Sequence, residues 1–171
     1  LNFILDTGLT TAMITELTYY DTVNLRFAKD VELKGLGIGD PLEAFHSYGN
    51  TIRIGDIIGH NQDIYILREN IFLLSAKLGQ PVHGILGYSI FKDFIISINY
   101  NRQRIKFYDP ATFEYRSRHE RRFSRLPIII HDTKPYLNIQ IEDLAGKRYD
   151  VKLLLDTGAS HALWLDMNSL P

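Results

Sequence analysis

Two tripeptides in this chain have the right residues to do chemistry together. Asp6-Thr7-Gly8 and Asp156-Thr157-Gly158 stand 150 positions apart, and aligning them lays Leu1-Asn2-Phe3-Ile4-Leu5 over Val151-Lys152-Leu153-Leu154-Leu155. In each copy an apolar strand ends in a carboxylate, a small hydroxyl residue (Thr10 or Ser160) follows two positions after the glycine, and a second apolar run begins. A carboxylate at the mouth of a buried strand costs free energy unless hydrogen bonds or a partner compensate it. The repeat points to two carboxylates meeting across a pseudo-twofold axis. Like charges ~3 Å apart do not both ionise, so such a pair holds one proton between its members. One member is then a base and the other an acid, as needed to activate a water and protonate a leaving amine. The pair titrates as a unit, and the sequence does not say which member carries the proton.

The neighbouring residues have physical roles in the same scheme. Gly8 and Gly158 are expected to let the backbone turn sharply and bring N–H groups to the carboxylates. Thr7 and Thr157 are placed to hydrogen-bond across the axis, and Thr10 and Ser160 to orient the outer carboxylate oxygens. A single Asp-Thr-Gly reads as an ordinary turn, with Asp making a local bond to the backbone and Gly taking positive φ. The duplication with matching apolar flanks makes the chemical reading the stronger one.

The elements that must position these groups read as strands. Leu1 to Leu5 leads into the first tripeptide. Val31-Glu32-Leu33, Gly35-Leu36-Gly37-Ile38-Gly39 and Pro41 to Phe45 outline a hairpin with a glycine-rich tip. Short apolar runs at 51–54 and 64–67 follow. Ile90, Phe91 and Phe94 share one face of a short helix expected over 88–94, and 94–108 reads as a hairpin turning at Asn101-Arg102-Gln103. Strands resume over 126–130, 136–141 and 149–155, with a turn around Ala145-Gly146-Lys147. Between them, Glu114 to Arg125 carries Arg116, Arg118, Arg121, Arg122 and Arg125 and reads as a solvated linker. Strands this short suit two packed sheets or a closed barrel.

Composition narrows the classes of function. The 171 residues carry 19 Lys+Arg against 20 Asp+Glu and are 45% hydrophobic, an ordinary globular balance without the basic excess that nucleic acid or an anionic membrane selects. The absence of cysteine removes disulfides, thiolate zinc sites and Cys nucleophiles. No apolar run approaches the ~20 residues that span a bilayer. Both ends read as cut, because Leu1 to Leu5 is already strand-like without an initiating Met and Asn168 to Pro171 trails off after an apolar run. The chain is therefore expected to be a piece of a longer protein. Histidines 46, 60, 83, 119, 131 and 161 have no metal-ligand spacing. The alternating glycines 35, 37 and 39 lack the lysine and helix of a phosphate loop, and no Gly-x-Ser-x-Gly elbow occurs.

Together these motifs resemble the retropepsin-like aspartic proteases, whose active dyad is built from two Asp-Thr-Gly loops. Gly35-Leu36-Gly37-Ile38-Gly39 resembles the tip of that family's flap, which closes over substrate. His83-Gly84-Ile85-Leu86-Gly87 with Tyr88 to Phe94 resembles its hydrophobic-hydrophobic-Gly segment (Ile85, Leu86, Gly87) and C-terminal helix. Among relatives, the chain looks most like bacterial proteins with two such units, often accompanied by a PDZ domain. The resemblance implies a mainly β, acid-protease closed barrel with one short helix. It divides the chain into a first unit (1–110) lacking its lead strands, an Arg-rich linker (111–125) and the start of a second unit (126–171). It further implies an endopeptidase with Asp6 and Asp156 as catalytic residues, needing no cofactor and no metal, taking a peptide or protein substrate and no nucleic acid, and tilted towards an extracytoplasmic location.

Two alternatives stay open at this point. Asp6 and Asp156 pair within one chain, pair with another chain in a homodimer or strand-swapped arrangement with 126–155 docked on the first unit, or do not pair. Leu9 replaces the small residue usual after Asp-Thr-Gly and would crowd a dyad, which favours an inactive peptide-binding or dimerisation module. Tyr48, near the flap's return strand, is a weaker candidate for touching substrate.

Overall fold

The computed structural model describes residues 1–19, 21–26, 28–34, 41–115 and 124–165. The chain is mainly β. Its strands run β1 (Phe3–Leu5), β2 (Ala12–Ile14), β3 (Ala28–Leu33), β4 (Leu42–Ile54) and β5 (Ile57–Leu67), followed by the short helix α1 (Leu74–Leu78) and β6 (Gly84–Leu86). These six strands make one sheet in the order β1-β6-β2-β5-β4-β3. Then come the hairpin of β7 (Ile95–Asn99) and β8 (Arg104–Tyr108), and a three-stranded sheet of β9 (Ile129–His131), β10 (Lys134–Glu142) and β11 (Arg148–Leu154) in the order β11-β10-β9. No described helix is long and apolar enough to cross a membrane.

Local chemistry explains the main turns. Gly55, with φ of 59°, opens the two-residue turn that pairs Ile54 with Ile57. The β10–β11 turn is closed by the Asp143 carboxylate, which accepts from the N–H groups of Ala145 and Lys147, both at 2.9 Å. The glycine-tipped hairpin is β3 with β4, paired from Ala28↔Ser47 to Leu33↔Leu42. Its tip, Gly35 to Gly39, lies outside the described residues, as do Arg116, Arg118, Arg121 and Arg122 of the linker.

β2 sits inside the sheet and is buried along its length. Ala12 faces one core cluster with Ile90 and Phe91, supported by Leu5, Leu86, Ile96 and Phe107. Met13 faces the other, with Ala44 and Leu67. This double burial comes from period-two alternation in a strand covered on both faces.

The helix lies elsewhere than the apolar periodicity indicates. Over 88–94 the chain makes only a 3₁₀ turn, Tyr88–Ile90, and then bends into β7. Ile90 and Phe91 are buried, so the apolar positions are explained by packing rather than by helix length. The seven residues between Gly87 and β7 leave room for little more than one turn. The α-helix is instead Leu74–Leu78, ended by Gly79 in the left-handed region at φ of 66°. The strand pairings leave β1 and β3 as edges of an open sheet, and β9 to β11 form their own sheet instead of adding to it.

Candidate active site

β1 ends at Leu5 and β11 at Leu154, so Asp6 and Asp156 stand just past the ends of their strands, and the two loops meet within one chain. Four hydrogen bonds join them reciprocally. The Thr7 N–H donates to Thr157 Oγ1 and the Thr157 N–H to Thr7 Oγ1, both at 3.2 Å. The Thr7 hydroxyl donates to the Leu155 carbonyl at 2.5 Å, and the Thr157 hydroxyl to the Leu5 carbonyl at 2.8 Å. Each threonine hydroxyl thus gives one bond and takes one across the axis, and a polar contact between two strand ends is satisfied without water.

The glycines lie where no side chain fits. A Cβ on Gly158 would stand 2.6 Å from Asp6 Cγ, and one on Gly8 would stand 2.9 Å from Asp156 Cγ. Neither glycine has a left-handed backbone. The backbone does turn at Thr7-Gly8 and Thr157-Gly158, without positive φ, and glycine is required because each loop's backbone presses on the other's carboxylate. The expected N–H contacts are present, each to the loop's own aspartate. Asp6 Oδ1 accepts from Gly8 at 2.7 Å and Leu9 at 3.2 Å. Asp156 Oδ1 accepts from Gly158 at 2.8 Å and Ala159 at 3.1 Å. The Oδ2 atoms turn towards the opposite loop's glycine.

Burial pushes the Asp6 carboxyl above the ordinary carboxylate range, and the Asp156 charge and a hydrogen bond with that side chain add to the effect. The Gly8 and Leu9 N–H groups offset part of it. Two carboxyls in contact titrate as a unit, and a second carboxyl beside Asp6 favours its protonated form.

Ile85, Leu86 and Gly87 prop the first loop. β6 inserts between β1, in parallel, and β2, antiparallel, with Ile85 opposite both Ile4 and Met13. The Leu86 carbonyl accepts from the Asp6 N–H at 3.0 Å, and Tyr88 and Ser89 donate to the carbonyls of Leu9 and Thr10 at 2.7 and 2.9 Å. Gly87 is packed so closely that a Cβ would meet the Thr10 carbonyl oxygen at 2.6 Å.

Thr10 and Ser160 are not brought to the carboxylates. The Thr10 hydroxyl lies 3.0 Å from that of Thr133, and Ser160 Oγ lies 3.0 Å from His161 Nδ1. Backbone N–H groups hold the Oδ1 atoms in their place. Leu9 packs against the Met13, Ala44 and Leu67 cluster and so turns away from the dyad. Tyr48 lies exposed on β4, its ring 6.0 Å from that of His46. Sequence reasoning misses the Thr133 contact, since nothing in the sequence marks a residue 123 positions away as a neighbour of Thr10.

The sequence pattern of a family described as aspartyl protease matches residues 1–90. That span runs from β1 through the first Asp-Thr-Gly loop and the glycine-tipped hairpin to the turn after Gly87. No curated protein and no solved structure matches the chain. With over half of its 171 residues following that pattern, the chain belongs to the aspartyl protease family.

Proposed function

We propose that the chain is an aspartic endopeptidase in which Asp6 and Asp156 are the catalytic pair. The observation that carries this reading is the reciprocal packing of each carboxylate against the other loop's glycine, locked by the Thr7–Thr157 bonds. With one proton shared, the unprotonated carboxyl takes a proton from a water placed between the two. That water's oxygen attacks the peptide carbonyl, while the protonated carboxyl donates to the carbonyl oxygen. Collapse of the tetrahedral adduct breaks the C–N bond, and the departing nitrogen takes up a proton from the dyad. The dyad is made within one chain, so the reading asks for no second copy to complete it.

The substrate in this reading is an extended peptide laid as an added strand under the hairpin of β3 and β4, whose tip carries Gly35, Leu36, Gly37, Ile38 and Gly39. In this reading residues 1–110 form one lobe, 111–125 link it to the next, and 126–171 begin the second.

Asp6→Asn and Asp156→Asn should each lower cleavage of an unstructured protein substrate on the order of 10³-fold or more, and a pepstatin-like analogue should bind the unaltered protein. Retained proteolysis in both variants would sink the proposal. Analogue binding without any cleavage would favour the inactive peptide-holding module instead. That alternative rests on Leu9 crowding the dyad, whereas Leu9 packs against the Met13, Ala44 and Leu67 cluster.

A further inference from the structure

Beside the bonds between the Asp-Thr-Gly loops themselves, a side-chain contact joins the first loop to residues 124–165: the hydroxyls of Thr10 and Thr133 lie 3.0 Å apart. Thr133 occupies a two-residue hairpin turn, between His131 and its pairing partner Lys134. Both turn residues have positive φ, 46° at Asp132 and 61° at Thr133. Such turns favour Asn-Gly, and a β-branched residue with positive φ is an outlier that persists only where its surroundings hold it. Here the Thr133 hydroxyl donates to the Asp132 carbonyl at 2.5 Å, so at its 3.0 Å contact with Thr10 it must accept. Two residues further on, the Pro135 carbonyl accepts from the Leu155 N–H at 2.8 Å, immediately before Asp156. The turn itself meets the first loop, and the strand that leaves it, β10, reaches the start of the second loop by continuing its pairing with β11. The equivalent hydroxyl of the second loop, Ser160, has no such brace among the described residues and bonds to His161.

We propose that Thr133 is a positioning residue for the dyad, and that the strained Asp132-Thr133 turn holds the first Asp-Thr-Gly loop against the second so that the two carboxylates stay close enough to share one proton. This rests on the reading of Asp6 and Asp156 as a catalytic pair. A tightly held pair loses its two protons at widely separated pH values, and a loosened pair at values closer together. The titratable groups on and beside the turn are Asp132, His131 at 3.4 Å from it, and Lys134 opposite His131, while His161 lies against Ser160 of the second loop. None of them is altered in the test.

The experiment follows the aspartate carboxyl signals by ¹³C NMR across pH in the full chain, with cleavage measured in parallel. Thr133→Val keeps the side-chain shape and removes the acceptor. It should bring the two apparent pKa values together by on the order of one unit and lower kcat roughly three- to tenfold with little change in KM. Thr133→Gly tolerates the turn without strain and also lacks the hydroxyl, so it should behave the same way with its fold secure. Thr133→Ser should restore the wild-type separation. Wild-type separation in both Thr133→Val and Thr133→Gly overturns the proposal. The titration needs no turnover, so a chain that titrates as described yet cuts nothing would count against the endopeptidase reading alone.

Discussion

The two Asp-Thr-Gly loops carry the same tripeptide on very different supports. The first emerges from a six-stranded sheet, is propped by Leu86, Gly87, Tyr88 and Ser89, and sends Leu9 into the core. The second emerges from a three-stranded sheet whose β9 side chains are exposed, and Ala159 after it is exposed too. The hydrogen bonds between the loops are nonetheless symmetric, threonine for threonine. The pattern of hydrogen bonds between the loops is therefore carried by the tripeptides, whereas the burial that raises the Asp6 carboxyl comes from the first loop's surroundings.

The largest effect should come from breaking the pairing on either side. Gly158→Ala places a methyl 2.6 Å from Asp6 Cγ, and Gly8→Ala places one 2.9 Å from Asp156 Cγ. Each should reduce peptide cleavage on the order of a hundredfold, as expected for displacement of reacting groups by about 1 Å. Gly158→Ala should be the worse of the two, because its methyl meets the better-buried aspartate at the shorter distance. Steady-state kinetics with one peptide substrate checks the order, and equal rates would mean that support does not matter.

A smaller effect separates the loops by packing. Leu9→Ala should destabilise the fold by about 1–3 kcal/mol, since it removes methyl groups packed against Met13, Ala44 and Leu67. The mirror change, Ala159→Leu at an exposed position, should stay within about 0.5 kcal/mol. Urea titrations of the two variants measure the contrast.

The smallest effect is electrostatic. The Asp6 carboxyl is raised in the folded chain, so the folded state binds its proton more tightly than the unfolded state does. The stability this provides is fully present below the unfolded carboxylate range and is lost as pH rises through the raised value. Asp6→Asn removes that loss, so across this window its melting temperature should fall less than that of the wild type. Asp21 and Asp143 act in the opposite sense. Their carboxyls are lowered, by the Thr18 hydroxyl and the Lys147 N–H respectively, and their contribution is lost as pH falls. Both proteins share these groups, so the difference between the two melting profiles isolates Asp6.

Much of this architecture is legible in the order of the residues. The β3–β4 hairpin and the strands around 94–108 and 134–154 follow from apolar alternation and turn residues, the paired aspartates from the repeat, and the Ile85-Leu86-Gly87 segment from its resemblance to a family motif. The helix expected over 88–94 marks the limit of such signals. Ile90, Phe91 and Phe94 fit a helical face, but the sheet takes Ile90 and Phe91 as core plugs and pulls the chain straight into β7. Leu9 defeats a local reading for a related reason: a residue beside the dyad in sequence can point away from it once β2 has two buried faces to fill.

The sequence by itself determined which groups could react and that they came as a matched pair, because residue type and a 150-position repeat are written in one dimension. Tertiary structure alone decided that the pair forms within one chain, that the glycines of the two turns leave space for the opposite carboxylate, and that Thr10 binds Thr133 instead of a carboxylate. Each of those outcomes depends on distances between residues more than a hundred positions apart, which only the packing of the sheets sets.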